Sequence, residues 1–306
     1  MPLRHKQLET GLILNLSGKD QSLTGQDHDL LRRARVVRVD PSDSCNASCV
    51  FCESSFNARG ARLPLAVFEE ALPSIAQSPH LTTIQFGCTY EPTIRKDFSA
   101  FGRALDASGV GRLADQVMIV SNCWLLHRHD VLPFVAAGLN KLHVSLHSHE
   151  REEFIAVMGR DDLPQVAENL KRFKAEHPHV PVSAVCVVNS LNAGAPLDFA
   201  RWAFFDIGID YLRLTRANIV GNVVNSPAKA ALDKLPAGSG FQLTDEAWRE
   251  FTAKVAGVAS IGLDCLESTQ HLKNSAISVD ALRLKRKGAP MEQVAIRQAR
   301  LERVSA

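Results

Sequence analysis

The sequence predicts an α/β fold: a partial (β/α)6 TIM-like barrel with an N-terminal extension and a mainly helical C-terminal extension. Three observations predict it. Between residues 35 and 220, extended β-rich runs alternate six times with runs of helical spacing. That alternation builds a parallel sheet with right-handed crossovers. A closed eight-unit barrel takes roughly 250 residues, so six units make an open one. Composition allows it: the 306 residues are 45% hydrophobic and 22% charged, an ordinary globular balance with enough apolar side chains for a sizeable core. The expected units are residues 1–34, 35–220 and 221–306, the last making substrate or partner contacts.

Residues 1–34 carry an apolar patch at 11–16 and then a polar stretch rich in Gly, Asp and Gln, with little to specify helix or strand. The first strand is expected at 36–39, where Val36, Val37 and Val39 crowd together. A helix follows at 65–77, with Pro64 suited to start it. The second strand spans 82–86, and its helix spans 97–108 and stops near Gly109. The third spans 116–120, before a short helix at 130–137 closed by Gly138. The fourth spans 141–146, ahead of a helix at 163–176 whose Val166, Leu170 and Phe173 share one face. The fifth spans 182–188, followed by a helix at 197–205, and the sixth spans 211–214. From Gly221 the alternation fades, and residues 226–240, rich in Pro, Ala and Gly, read as a linker or surface loop. A helix at 244–258 has Thr244 as its N-cap and Trp248 on its apolar side. The basic tail from 273 to 303 reads as a solvated amphipathic helix or a dimer contact.

Thirty-five Lys and Arg against 33 Asp and Glu leave a net charge of +2, which exerts no global pull on nucleic acid. The N-terminus has no apolar signal core, and no apolar run approaches the ~20 residues of a membrane-spanning helix. The expectation is a cytoplasmic protein without a membrane partner. Its seven cysteines are Cys45, Cys49, Cys52, Cys88, Cys123, Cys186 and Cys265. An odd number, three of them bunched, makes a poor disulfide framework and a good set of metal ligands in a reduced compartment.

The decisive segment is Asp43-Ser-Cys45-Asn-Ala-Ser-Cys49-Val-Phe51-Cys52, directly after the first strand. Three thiolates on one loop can wrap a compact metal centre. Structural zinc takes four ligands, usually as two pairs, and no second pair with zinc spacing follows. A [4Fe–4S] cluster held by three cysteines leaves one iron open to an outside ligand, where chemistry can occur. Zinc completed by a distant ligand such as His147 has the same loop spacing, so a non-catalytic zinc or iron–sulfur binding module is the rival reading.

The C-x3-C-x2-C spacing, with an aromatic before the last cysteine and a strand before the loop, resembles the radical S-adenosylmethionine (SAM) superfamily. The resemblance runs over residues 36–217. It implies that Cys45, Cys49 and Cys52 hold the cluster, that SAM chelates the open iron, and that Phe51 packs against the cofactor. The segment Gly87-Cys88-Thr89-Tyr90-Glu91-Pro92 is similar to the family's Gly-Gly-Glu-Pro, lengthened by Cys88, Thr89 and Tyr90. There the backbone and Glu91 would bind the SAM amino group. Ser121, beside Asn122, and Ser145 fall where family hydroxyls reach the SAM carboxylate and ribose, and Asn189 falls beside the adenine. His147 occupies an aspartate position, and Met158-Gly159-Arg160 follows the family's usual course. Arg213 or Arg216 would neutralise a carboxylate.

Cys88 and Cys123, at strand ends, would face the cavity, one of them offering a hydrogen atom or both serving as small wall residues, and His147 would move a proton near neutral pH or sit as a solvated loop histidine. The implied activity is reductive cleavage of SAM to a 5′-deoxyadenosyl radical that abstracts hydrogen from a small-molecule or peptide substrate, in natural-product biosynthesis. A flavodoxin- or ferredoxin-type electron donor is implied with it. The basic tail and lone Cys265 suggest an RNA-modifying alternative, which the charge balance and the lack of an aromatic-rich binding strip oppose.

Overall fold

Val, Ile and Leu at strand positions, with glycine stops between them, make one ten-stranded sheet. The computed structural model describes residues 4–8, 11–17, 22–52, 60–87, 89–217, 241–271 and 278–290. The strands are β1 (Arg4–Leu8), β2 (Gly11–Ser17), β3 (Ala34–Asp40), β4 (Thr83–Phe86), β5 (Gln116–Ser121), β6 (Leu139–Ser145), β7 (Val182–Val188), β8 (Tyr211–Arg216), β9 (Leu263–His271) and β10 (Ser278–Arg286). Their spatial order is β1-β2-β3-β4-β5-β6-β7-β8-β10-β9. From β2 to β8 every neighbouring pair is parallel, and β1, β10 and β9 are antiparallel to their neighbours. The six strands expected from sequence are β3 to β8, in consecutive order. The sheet ends at β1 and β9, which do not pair, so the barrel is open.

Among the described residues eight α-helices accompany the sheet: α1 (Gly25–Leu31), α2 (Leu65–Ala76), α3 (Phe98–Ser108), α4 (Leu132–Ala136), α5 (Arg151–Met158), α6 (Leu163–Glu176), α7 (Pro196–Arg201, running into a π turn at Trp202–Ile207) and α8 (Asp245–Val255). One face of the sheet is covered: Val37, Val39, Ile84, Phe86, Ile119, Leu142, Val144, Leu212 and Leu214 are all buried in the main core. Phe86 sits among Phe68, Phe98 and Phe134 with ring centroids 5.0–6.1 Å away, each edge-on to it, the arrangement aromatic quadrupoles favour. The alternate positions, Arg38, Gln85, Lys141, His143, Ser145 and Arg213, are half-buried. Arg38 pairs in register with Gln85, and Val185 with both Ser145 and Arg213, so these side chains share the opposite, inner face.

Two expectations need correction. The N-terminal extension is regular where it is described: β1 and β2 extend the sheet past β3, and α1 is capped by Thr24, whose hydroxyl accepts from Asp27 N–H. Among the described residues the C-terminal part is not mainly helical, because after α8 it contributes β9 and β10. Leu282 and Leu284 are both buried and recur with period two, and a helix would turn them to different faces. Helix α5 was also not anticipated as a separate element. Thr244 does cap α8, accepting from Ala247 N–H, and Trp248 is buried. The expected loop at 226–240, the tail beyond 290 and Cys88 lie outside the described residues. Among the described residues no helix is long and apolar enough to cross a membrane.

Candidate metal and cofactor site

The cysteine loop, residues 41–52, leaves the C-terminal end of β3, the end at which parallel α/β barrels keep their chemistry. It docks on the end of α5. Ser48 N–H donates to Met158 O (3.0 Å) and Val50 N–H to Val157 O (2.9 Å), using carbonyls that a helix leaves over at its C-terminus. Gly159 permits the approach: its φ is +72°, and a Cβ there would lie 3.0 Å from Ser48 Cβ. Phe51 packs with Val187 and Leu191 around buried Val50, Val157, Ala217 and Phe241.

Cys45, Cys49 and Cys52 are partly exposed and none is in a disulfide. Burial, reinforced by the nearby Glu91 and Cys52, raises the Cys45 thiol to about 11, and burial also pushes Cys49 well above its ordinary value. Thiols held this way become thiolates when a metal takes the proton's place. Flanking Cys45, Asp43 Oδ1 and Asn46 Nδ2 are buried without a hydrogen-bond partner among the described residues. Among those residues no three His, Cys, Asp or Glu side chains gather around one ion position. Cysteines that each take a different iron need no such convergence. Three soft sulfur donors on one loop fit an iron–sulfur cluster better than a lone zinc ion.

Beside the loop lies Glu91, only 3% exposed. Its Oε1 accepts from Thr93 N–H (3.0 Å), Thr93 Oγ1–H (2.6 Å) and Ser121 Oγ–H (2.7 Å), and its Oε2 accepts from Asn122 N–H (2.7 Å). Burial outweighs these donors and raises its pKa. Oε1 is saturated, while Oε2 retains acceptor capacity for one further donor. The longer segment before Glu91 therefore still delivers it to the end of β5. Asn122 completes the junction, its Nδ2–H donating to Asn46 Oδ1 (2.7 Å) inside the cysteine loop.

The strand-end residues divide into two groups. Glu91, Ser121 and Asn122 meet in one network with the cysteine loop. Ser121 is nonetheless committed within the protein, since its hydroxyl donates to Glu91 and accepts from Cys123 N–H (2.8 Å). Asn189 is fully buried and builds its own turn: Nδ2–H donates to Val187 O (3.0 Å) and Oδ1 accepts from Leu191 N–H (2.9 Å). Ser145 and Arg213 stand on the inner face. Arg216 instead anchors β8 to the start of α8, donating to Leu243 O (2.6 Å) and pairing with Asp245 (2.7 Å).

Cys123 does not face a cavity. It is fully buried in the main core with φ 59°, and burial raises its thiol far above the ordinary value. A thiol packed among apolar groups is poorly placed to give hydrogen to a substrate.

His147 is not a proton shuttle for neutral pH. Its Nδ1 accepts from Val187 N–H (3.1 Å), Phe51 meets it edge-on at 4.8 Å, and burial holds the imidazole down at about 3. The unfolded chain would protonate it near ~6.5. The neutral ring therefore adds stability that is complete above that value and is lost as pH falls toward the folded pKa. Between pH 7 and pH 5 the wild type should lose about 2 kcal/mol relative to His147→Gln, measured by urea titration at both pH values.

Gly87 shapes the turn that carries Glu91. Its φ is +73°, and a Cβ would lie 2.3 Å from Val120 O and 2.8 Å from Pro92 Cδ. Gly87→Ala should lower the unfolding free energy by about 3 kcal/mol through backbone strain and overlap, read from the shift in urea midpoint.

Sequence reasoning missed Asn46 and Trp124 and gave Arg160 no role. The guanidinium of Arg160 lies 3.6 Å over the Trp124 ring, donates from Nη1 to Asn46 O (2.6 Å) and pairs through Nε with Asp162 (2.7 Å). These residues stand at three separate places in the chain, so no spacing rule marks them.

No family model matches the chain. It is similar to a probable GTP 3′,8-cyclase of Metallosphaera sedula, 27% identical over 194 residues that cover 60% of this chain and 56% of that protein. It is likewise similar to the GTP 3′,8-cyclase of Pectobacterium atrosepticum, 26% identical over 175 residues covering 56% and 52%. The chain thus spans just over half the length of the curated relatives it matches. Among solved structures, its fold resembles anSMEcpe with bound AdoMet and the Cp18Cys peptide (TM-score 0.52, 15% identity, 72% of this chain and 58% of that one). It also resembles coproporphyrinogen III oxidase HemN from Escherichia coli, described as a radical SAM enzyme (TM-score 0.51, 15% identity, 81% and 58%).

Proposed function

We propose that this chain, a member of the radical SAM superfamily, is an enzyme in which Cys45, Cys49 and Cys52 hold a [4Fe–4S] cluster and the strand ends of β4, β5 and β6 receive SAM. One observation carries the reading: Asn122 joins the cysteine loop to Glu91, so the metal ligands and a buried carboxylate with spare acceptor capacity belong to one rigid network. When bound, the reduced cluster supplies the electron that cleaves SAM to methionine and a 5′-deoxyadenosyl radical, which abstracts hydrogen from the substrate.

The protein's part is to bind, orient and exclude. Glu91 Oε2 takes the ammonium of SAM, a charge-assisted contact that offsets the burial of the carboxylate. Gly87 sets the turn that aims it, and Phe51 covers the cofactor. Ser145 and Arg213 line the inner face, where the Arg213 guanidinium is the candidate for meeting a carboxylate. Asn122, Ser121, Asn189 and His147 act by holding these loops in place.

The substrate is a small molecule or peptide, and natural-product biosynthesis is the setting we favour. GTP, which names the sequence relatives, is itself a small molecule and supports that class over RNA. A flavodoxin- or ferredoxin-type protein of the cytoplasm supplies the electron. The test is anaerobic reconstitution, iron and sulfide analysis, and incubation with SAM and a reductant. About four irons per chain with release of methionine and 5′-deoxyadenosine support the reading. Colourless protein carrying stoichiometric zinc, or loaded protein that leaves SAM intact, overturns it.

A further inference from the structure

We propose that Arg160, seated on Trp124, is a positioning residue that clamps the Cys45–Cys49 arm of the cysteine loop and thereby sets how the thiolates present themselves to the cluster. This deepens the cluster reading and rests on it for its functional consequence. The geometric part stands on the protein alone.

The arm between Cys45 and Cys49 has few restraints of its own. Ala47 N–H turns back to Cys45 Sγ at 3.4 Å, which shapes the first bend without fixing where it lies. Its position is set from outside, at Ser48, whose N–H donates to Met158 O (3.0 Å), and at Asn46. The Asn46 carbonyl accepts from Arg160 Nη1 at 2.6 Å, and its side-chain Oδ1 accepts from Asn122 Nδ2 at 2.7 Å. Asn46 is thus held from two directions, by the segment after α5 and by the end of β5.

Arg160 is fixed in turn. Its Nε pairs with Asp162 at 2.7 Å, and its guanidinium carbon lies 3.6 Å from the centre of the Trp124 ring. The Trp124 backbone is tied down by its N–H, which donates to Asn122 Oδ1 at 3.1 Å. Asn122 therefore touches both Asn46 and Trp124, and Arg160, Trp124, Asn122 and Asn46 close a ring of contacts around the loop.

The planar fork of arginine is what this place requires: one edge reaches the carbonyl, the other the carboxylate, and the flat face stacks on indole. Lysine can keep the charge, but it cannot make all three contacts at once.

The experiment compares Arg160→Lys, Arg160→Met and Trp124→Phe with the wild type in two arms. In the first, hydrogen exchange is followed on the metal-free protein. The clamp predicts that amides of residues 46–50 exchange at least tenfold faster in Arg160→Met, with a smaller increase in Arg160→Lys and Trp124→Phe, while β7 amides are unchanged. In the second, each protein is reconstituted anaerobically, and iron content and cluster reduction potential are measured. Arg160→Met should hold less than half the wild-type iron or show a displaced potential, with Arg160→Lys intermediate. Wild-type exchange over 46–50 together with a wild-type cluster in Arg160→Met would overturn the clamp, as would faster exchange spread evenly over the chain. Should the wild type itself take up no iron, the cluster reading fails, and the exchange arm still decides the clamp.

Discussion

Cys49→Ala is expected to abolish SAM cleavage, with 5′-deoxyadenosine production falling by about 1,000-fold or more, equivalent to roughly 4 kcal/mol of lost transition-state stabilisation. A cluster bound through three thiolates cannot spare one, since its metal affinity is assembled from deprotonated ligands converging from a single loop. The loop itself should persist. Ser48 and Val50 remain hydrogen-bonded to the end of α5, and Asn46 remains bonded to Arg160 and Asn122, none of which needs the sulfur. Iron content and the visible spectrum should collapse while the circular dichroism stays that of the wild type. Cys186→Ala is the matched control. That thiol is buried in the core and donates weakly to His147 O at 3.5 Å, so its loss should cost stability and leave the iron in place. Wild-type iron in Cys49→Ala would show that the trio is not the ligand set.

Glu91→Gln should weaken SAM binding by about thirtyfold, near the 2 kcal/mol typical of a hydrogen bond to a charged group, measured by equilibrium dialysis on reconstituted protein. The amide is a poor substitute in this network. Among the described residues, the four hydrogen bonds to the Glu91 carboxylate all come from donors, three at Oε1 and one at Oε2. An NH2 group placed at either position faces a donor already there, and the remaining oxygen carries no charge for the SAM ammonium. Stability moves less than affinity, because the carboxylate of the free protein is itself penalised by burial, as its raised pKa records. Unchanged SAM affinity in a folded Glu91→Gln would remove Glu91 from the cofactor site.

The parallel core was legible because periodicity and length carry it. β3 through β8 fall where β-branched runs stand between helical runs, and Gly109 and Gly138 both adopt positive φ where helices were expected to stop. The edges were less legible. β10 alternates Leu282 and Leu284 with Arg283 and Lys285, a strand pattern masked by the overall basicity of the tail. The cysteine trio is proposed from its spacing, and Glu91 from its place after β4. The roles of His147 and Cys123 could not be read in the same way, since both depend on burial. A histidine or cysteine at a strand end has the same letters whether it faces a cavity or the core.

By itself, then, the sequence determined the order of the six parallel strands β3 to β8 and the grouping of three thiols proposed as soft donors, because both are local: one is a repeat of side-chain polarity, the other a spacing within one loop. Only the tertiary structure decided which strand-end groups act together. It brought Glu91, the Asn122–Trp124 segment and Arg160 from three separate crossovers to the cysteine loop, and it turned Cys123 and His147 into buried, neutral supports. Parallel strands gather their C-terminal loops at one end however far apart they lie in the chain, and desolvation there fixes which groups keep their charge.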